Sequence, residues 1–229
     1  MRILVHGMQS SGATAFSLFL AQRPDCLGLV DILNNYAAPR LDIDRDVIAK
    51  VVVTTAYPLA VHCERFQPDR TILFLRDPRD NFESLKRKPY RNHSGLIDEK
   101  FVLLDSLFEA RGGYDAVIEY EDFVGRAPSV QAALARLEWP VDESWYTFDR
   151  THVELAEALW RAVPELFETF EFSYGNVQST EVSSRFRDKP RPDGLESHLE
   201  TLCPRLLDHY RRRDRAILSA VPPEGGNLA

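Results

Sequence analysis

A three-layer α/β/α domain around a central, mainly parallel sheet is the fold class that this sequence predicts. Three observations carry the expectation. Short apolar runs recur along the chain, each bounded by polar or turn residues, as in strands buried on both faces. Segments with helical spacing alternate with them, the signature of right-handed βαβ units. A loop of small residues, Gly7 to Thr14, follows the first apolar run directly.

The elements follow in order. Arg2 to Val5 is a short buried strand. Thr14 to Gln22 reads as an amphipathic or buried helix, with Phe16, Leu18, Phe19 and Leu20 apolar. Leu27 to Val30 is a short strand, and Lys50 to Thr54, Thr71 to Leu75 and Ala116 to Tyr120 are further strands. Helical patterns cover Asn81 to Lys88, Asp98 to Arg111, Ser129 to Glu138 and His152 to Trp160. Gly175 to Gly194 is polar, contains Pro190 and Pro192, and reads as a long loop of the kind that often carries function. One final helix is expected from Glu196 to about Leu218, with Leu199, Leu202, Leu206, Leu207 and Tyr210 on one face. Residues 1–218 then form one domain, and residues 219–229 a frayed tail.

Composition narrows the function classes. The chain has 229 residues, enough for one α/β domain with a sizeable core. A formal net charge of −7 argues against a general nucleic-acid binder, which would be basic. Cys26, Cys63 and Cys203 are widely spaced and show no metal-ligand or C-x-x-C pattern. Buried thiols in a reduced, cytoplasmic setting are the default reading. The strand pattern beginning at Arg2 predicts no leader peptide, and the apolar runs are too short to span a bilayer.

Gly7 to Thr14 reads G-M-Q-S-S-G-A-T. This is the spacing of a phosphate-binding loop, G-x-x-x-x-G-K-[ST], with Ala13 in the lysine position. A loop that keeps the lysine usually handles a nucleoside triphosphate. One that keeps the glycines and the hydroxyl can still cradle a 5′-phosphate through backbone N–H groups at a helix start. A nucleotide-like anion is expected here, without ATP hydrolysis.

A second anion site is expected at the end of the Thr71 to Leu75 strand, which continues as R-D-P-R-D-N-F-E-S from Arg76 to Ser84. Open parallel sheets bind ligands beyond the carboxyl ends of their strands. Pro78 suits the first turn of a helix beginning at Asp77 to Arg79, which sets Ser84 about two turns along. The guanidinium and the hydroxyl can then hold one phosphate together. The alternative is an arginine that caps loop carbonyls and a serine on a solvated face.

Together the two motifs resemble the PAPS-dependent sulfotransferase family, whose P-loop NTPase-like fold binds 3′-phosphoadenosine 5′-phosphosulfate. The resemblance implies that Ser10, Ser11, Gly12, Ala13, Thr14 and Ala15 surround the 5′-phosphosulfate, and that Arg76 and Ser84 grip the 3′-phosphate. Tyr120-Glu121-Asp122-Phe123 is similar to the family's Y-E-D-L and implies that Tyr120 lies near the adenine. Ser183 to Lys189 resembles the late basic segment that closes over the 3′-phosphate, which brings in Arg185 and Arg187.

The sequence also departs from the family. Many sulfotransferases have a lysine or arginine just before the S-G of the loop, where it stabilises charge on the departing bridging oxygen. Here Ser10 stands in that catalytic position. Backbone N–H groups and the helix dipole supply some positive charge, and Arg185, Arg187 and Lys189 are candidates for the rest. His6, before the loop, reads as a core or strand-end histidine. Cytosolic members carry a histidine base in T-H-x-P, which aligns with Ala56 in Thr54 to Pro58. Other members use a carboxylate soon after the first helix, and Asp31 fits that place, with a helix N-cap as the alternative. His62, on a helix facing solvent, is the second candidate base. Lys86, Arg87, Lys88, Arg91 and His93 form a basic cluster, read as a solvated helix end or, in a sulfotransferase, as part of the acceptor mouth. Asp149, Arg150 and His152 could line the same cleft, with Trp145 and Tyr146 more simply core residues.

The function implied is in-line transfer of a sulfuryl group from PAPS to a hydroxyl, less readily an amine, of a small-molecule or sugar acceptor. It needs no metal and no covalent enzyme intermediate. A kinase with a degenerate loop and a non-catalytic nucleotide-binding module of the same fold are the competing readings. The missing loop lysine speaks against the first, while Ser10 and Ala56 favour the second.

Overall fold

Apolar runs too short to pair alone are joined in the computed structural model into one five-stranded sheet, all parallel, in the order β2-β3-β1-β4-β5. The structure describes residues 1–30, 36–54, 56–88, 95–171, 180–182 and 191–220. β1 (Arg2–Gly7) is central, flanked by β3 (Val47–Val52) and β4 (Arg70–Leu75). β2 (Leu27–Leu29) and β5 (Ala116–Glu119) lie outside them. Gly7 is in register with Val52 on one side and Phe74 on the other. The turns that leave β1 and β4 therefore emerge side by side at the carboxyl edge of the sheet.

Ten α-helices are described: α1 (Ala13–Leu20), α2 (Leu59–Phe66), α3 (Pro78–Lys86), α4 (Ile97–Glu109), α5 (Tyr120–Val124), α6 (Pro128–Arg136), α7 (His152–Ala162), α8 (Leu166–Thr169), α9 (Leu195–Leu202) and α10 (Pro204–Ala220). They cover both faces of the sheet because side chains alternate along each strand. Ile3, Val5, Ile72 and Phe74 point to one face, under Phe16 and Phe19 of α1 and Phe123 of α5. The Phe16 and Phe74 rings stack with centroids 4.8 Å apart. Leu73 and Leu75 point to the other face, under Phe101 and Leu104 of α4 and Leu199 and Leu206 of α9 and α10. Leu4 points the same way and joins Ala49, Val51 and Phe66. Each fully buried side chain of this size contributes about 1.5–3 kcal/mol. The three-layer α/β/α class expected from the alternation is the class observed.

Two expectations are corrected. The single terminal helix is two helices, broken at Cys203 (φ −142°). Pro204 is the cause: it offers no N–H, and its ring keeps the preceding residue out of the helical region. At the first position of α10 the proline carries no such penalty. The Gly175 to Gly194 segment is also not loop throughout. Within it, Thr180–Val182 runs antiparallel to Tyr146–Phe148, with Phe148 N–H donating to the Thr180 carbonyl (2.7 Å) and Val182 N–H to that of Tyr146 (2.8 Å).

Candidate functional site

The loop after β1 is shaped by two glycines. A methyl group at Gly7 would lie 2.9 Å from the Ala13 Cβ and 3.2 Å from the Phe74 carbonyl oxygen, so β1 and α1 could not approach as they do. Gly12 caps α1 at φ +97°, and a methyl group there would lie 2.6 Å from the Tyr120 ring. Gly12 has no side chain with which to cap this helix, and its first turn holds no acidic residue. Ser11, fully buried, turns its Oγ to the Ala13 N–H (3.3 Å). The first-turn N–H groups of a helix have no intrahelical partners, so the positive end of α1 lies at this turn, with the Ala13 N–H met by Ser11 Oγ.

Arg76 stands at the tip of β4, next to this loop. Its Nη1 donates to the Ser10 carbonyl (2.9 Å), and its guanidinium lies over the Tyr120 ring, 4.6 Å from the centroid. The carbonyl-capping alternative raised for Arg76 is thus realised in part. Tyr120 touches both Gly12 and Arg76, so the tips of β1, β4 and β5 converge on one place. Ser84 is half-buried on α3, as the spacing predicts.

The arginine turn is held rigidly. Asp77 caps α3, accepting from Arg79 N–H (2.9 Å). The Arg79 guanidinium is buried against Asp77 (2.7 Å) and reaches Glu196 (3.0 Å) of α9 and Asp214 (2.6 Å) of α10. Arg191 adds a second cation to Asp77 at 3.0 Å. Glu121 accepts from the Asp77 N–H (3.0 Å) and from the Tyr210 hydroxyl (3.1 Å), and burial pushes its carboxyl above the usual carboxylate range. Arg213 of α10 pairs with Glu119 (2.6 Å) and with Asp122. The Y-E-D element therefore divides its work: Tyr120 faces the loop, while its two carboxylates anchor the arginine turn and the last helix.

Two cations at the loop were not singled out from the sequence. Lys88, read as part of a solvated helix end, is half-buried with Nζ 3.5 Å from Ser10 Oγ. Lys100 is fully buried and donates to Gln9 Oε1 (2.8 Å). Asn81 donates to the Gln9 carbonyl (2.7 Å). The signal for Lys100 was available: it lies on the stripe of Ile97, Phe101, Leu104 and Phe108 that α4 turns inward, where a charge has no place without a partner. Lys86 and Arg87 are exposed.

His62 does not face solvent. It is buried on α2, accepting from the Ala38 N–H at Nδ1 (3.2 Å), and its Nε2 makes no hydrogen bond. The solvent-facing expectation failed because α2 turns this position, with Phe66 one turn on, toward the sheet. Burial depresses its pKa to about 4. His6 is likewise a core histidine, bonded through Nδ1 to the Tyr114 hydroxyl (2.8 Å), with its pKa lowered to about 3 by burial and then by His62. Arg150 does not line the loop's cleft. Its guanidinium is held by the Ala21, Arg23 and Cys26 carbonyls at the far end of α1. Tyr146 is core, and Trp145 packs beside it. Asp31, Arg91, His93, Arg185, Arg187 and Lys189 lie outside the described residues.

A lysine-free loop with phosphate-loop spacing on a central strand, beside an arginine at the tip of its neighbour, defines a P-loop-like α/β protein. More particularly, the chain has the sulfotransferase fold. It is similar to the sulfotransferase domain of the Synechococcus PCC 7002 olefin synthase, with a TM-score of 0.54 at 14% identity over 92% of this chain and 94% of that one. A sulfotransferase from Alicyclobacillus acidocaldarius matches over 92% and 98% of the two chains at 14% identity, with a TM-score of 0.43. Mouse sulfotransferase SULT7A1 complexed with PAP matches over 97% and 86% at 13% identity, also with a TM-score of 0.43. No family model matches the sequence, and no curated protein sequence does. Among the described residues no helix is long and apolar enough to cross a membrane, and no cluster of three or more His, Cys, Asp or Glu side chains could hold a metal.

Proposed function

We propose that this protein is a PAPS-dependent sulfotransferase acting on a hydroxyl of a small-molecule or carbohydrate acceptor. The observation that carries the reading is the Tyr120 ring, which lies against Gly12 on one side and under Arg76 on the other. Two candidate anion-binding features thereby border one ring, as the two phosphate ends of one nucleotide would require. The donor set fits such a ligand: a helix start with no acidic residue in its first turn, the Arg76 guanidinium and the Lys88 ammonium lie together, while Lys100 braces the loop from beneath. The fold of the cyanobacterial sulfotransferase domain agrees with it.

In this reading Ser11, Gly12, Ala13, Thr14 and Ala15 surround the 5′-phosphate, and Ser10 lies beside the bridging oxygen. Arg76 and Ser84 hold the 3′-phosphate, with Arg185 and Arg187 closing over it, and Tyr120 borders the adenosine. PAPS supplies the activated sulfuryl group when bound. A bond forms between the acceptor oxygen and sulfur as the bond from sulfur to the bridging oxygen breaks. The electron pair stays on the departing 5′-phosphate, and the acceptor's proton passes to a base. Asp31 holds that role by sequence position; His62, the second candidate, is buried with its Nδ1 lone pair taken by the Ala38 N–H, which leaves the ring proton on Nε2 and argues against it. Three free cysteines accord with a cytoplasmic setting.

Thermal melting with 3′-phosphoadenosine 5′-phosphate (PAP) tests the reading. At a hundred times its dissociation constant PAP should add about 2.7 kcal/mol of stability, while ATP at the same concentration adds much less. Arg76→Ala should lose the shift. An unchanged wild-type melting curve would reject both the donor and the site. A non-catalytic module, favoured by the absent loop cation, would bind PAP but move no label from radioactive PAPS to any of a panel of hydroxyl acceptors.

A further inference from the structure

The loop carries no cation in its own sequence, yet the structure delivers one to it. Lys88 follows α3 by two residues, and its N–H donates to the Leu85 carbonyl (2.8 Å). Its Nζ lies 3.5 Å from Ser10 Oγ. Ser10 sits at φ +61°, a backbone conformation that glycine would adopt more easily. Serine offers there what glycine cannot, a hydroxyl beside the ammonium. The Ser10 carbonyl is meanwhile fixed by Arg76 and that of Gln9 by Asn81. Lys100, beneath the loop, holds Gln9 from the buried side. The loop is therefore braced on three flanks, and Lys88 is the cation at its lip rather than beneath it.

We propose that Lys88 is a catalytic residue of the sulfuryl transfer, a cation lent to the loop from the end of α3 to meet the 5′-phosphate and its bridging oxygen. This rests on the function proposed above. As the bond from sulfur to that oxygen breaks, negative charge grows on the departing phosphate. A fixed ammonium beside it lowers the barrier because the charge appears only in the transition state. Lys88 keeps its proton throughout, and the acceptor's proton leaves by the base. Ser10 is the positioning residue, holding the ammonium where a loop lysine would otherwise stand.

The test compares two nucleotides that differ only at the 5′ end. Dissociation constants for PAP and for adenosine 3′-phosphate are measured by calorimetry on the wild type, Lys88→Ala and Lys88→Arg. Lys88→Met, which keeps most of the stem, replaces the alanine variant should that one unfold. The expected result is about a tenfold weaker PAP complex in Lys88→Ala, an unchanged adenosine 3′-phosphate complex, and recovery in Lys88→Arg. With label from PAPS and a phenolic acceptor, kcat should fall on the order of 100-fold in Lys88→Ala and partly return with added methylammonium. Wild-type PAP binding with the same ratio of the two constants in Lys88→Ala would overturn the role of Lys88 and leave the parent reading standing. No PAP binding by the wild type would remove the parent reading and this one with it.

Discussion

Gly12→Ala is the most informative single change, because two separate penalties can be worked out and separated. The first is backbone. At φ +97° a residue with a Cβ is in the left-handed half of the map, at about 1–2 kcal/mol. The second is steric. The new methyl would lie 2.6 and 2.7 Å from two carbons of the Tyr120 ring, whereas carbon atoms rest about 3.5–4.0 Å apart. The ring must move by about 1 Å, yet Arg76 lies over it. Overpacking of this kind costs about 1–3 kcal/mol. The sum is roughly 2–5 kcal/mol, read as a fall in the urea midpoint at constant m-value. Tyr120→Ala removes the obstacle. In that background Gly12→Ala should cost only the backbone part, leaving a coupling of about 1–3 kcal/mol in the double-mutant cycle. An equal cost in both backgrounds would show that Tyr120 does not rest on the loop, and the shared cleft would go with it.

Two further outcomes follow from the buried charges. Arg79→Met should destabilise by about 3–5 kcal/mol, since it leaves the buried Asp77 carboxylate to the exposed Arg191; a loss under about 1 kcal/mol in urea titration would mean that Arg191 alone suffices. Stability should also fall with acid. Burial holds the His6 pKa near about 3 and the His62 pKa near about 4, both below the unfolded value of 6.5. Between those limits the unfolded chain binds protons that the folded chain refuses, so stability drops as pH falls below 6.5, by up to about 1.4 kcal/mol per unit for each histidine. The slope should flatten in His62→Gln, and a wild-type profile level from pH 7 to 5 would contradict the burial of both rings.

Much of the sheet was legible because its strands are short β-branched and aliphatic runs, buried on both faces. The order of the strands was not, since pairing depends on contacts far apart in sequence. The break at Cys203 had a local signal, Pro204, which the continuous apolar stripe on either side obscured. At the site, Gly12, Arg76 and Tyr120 could be named because backbone conformation and charge leave marks at fixed spacing. Lys88 could not: a flexible side chain reaching back across a turn leaves no periodic trace. His62 was misplaced because an eight-residue helix with polar and apolar residues mixed gives a weak facial pattern, and packing against β1 and the Ala38 segment decides the matter.

The bracing of the arginine turn has a temporal consequence. Gly12 and Arg76 are synthesised before Arg191, Glu196, Tyr210 and Arg213, which answer Asp77, Arg79, Glu121 and Asp122. A nascent chain therefore owns the proposed anion-binding parts before it owns their foundation. A chain stalled before α10 would present the same motifs without the side chains that brace the arginine turn.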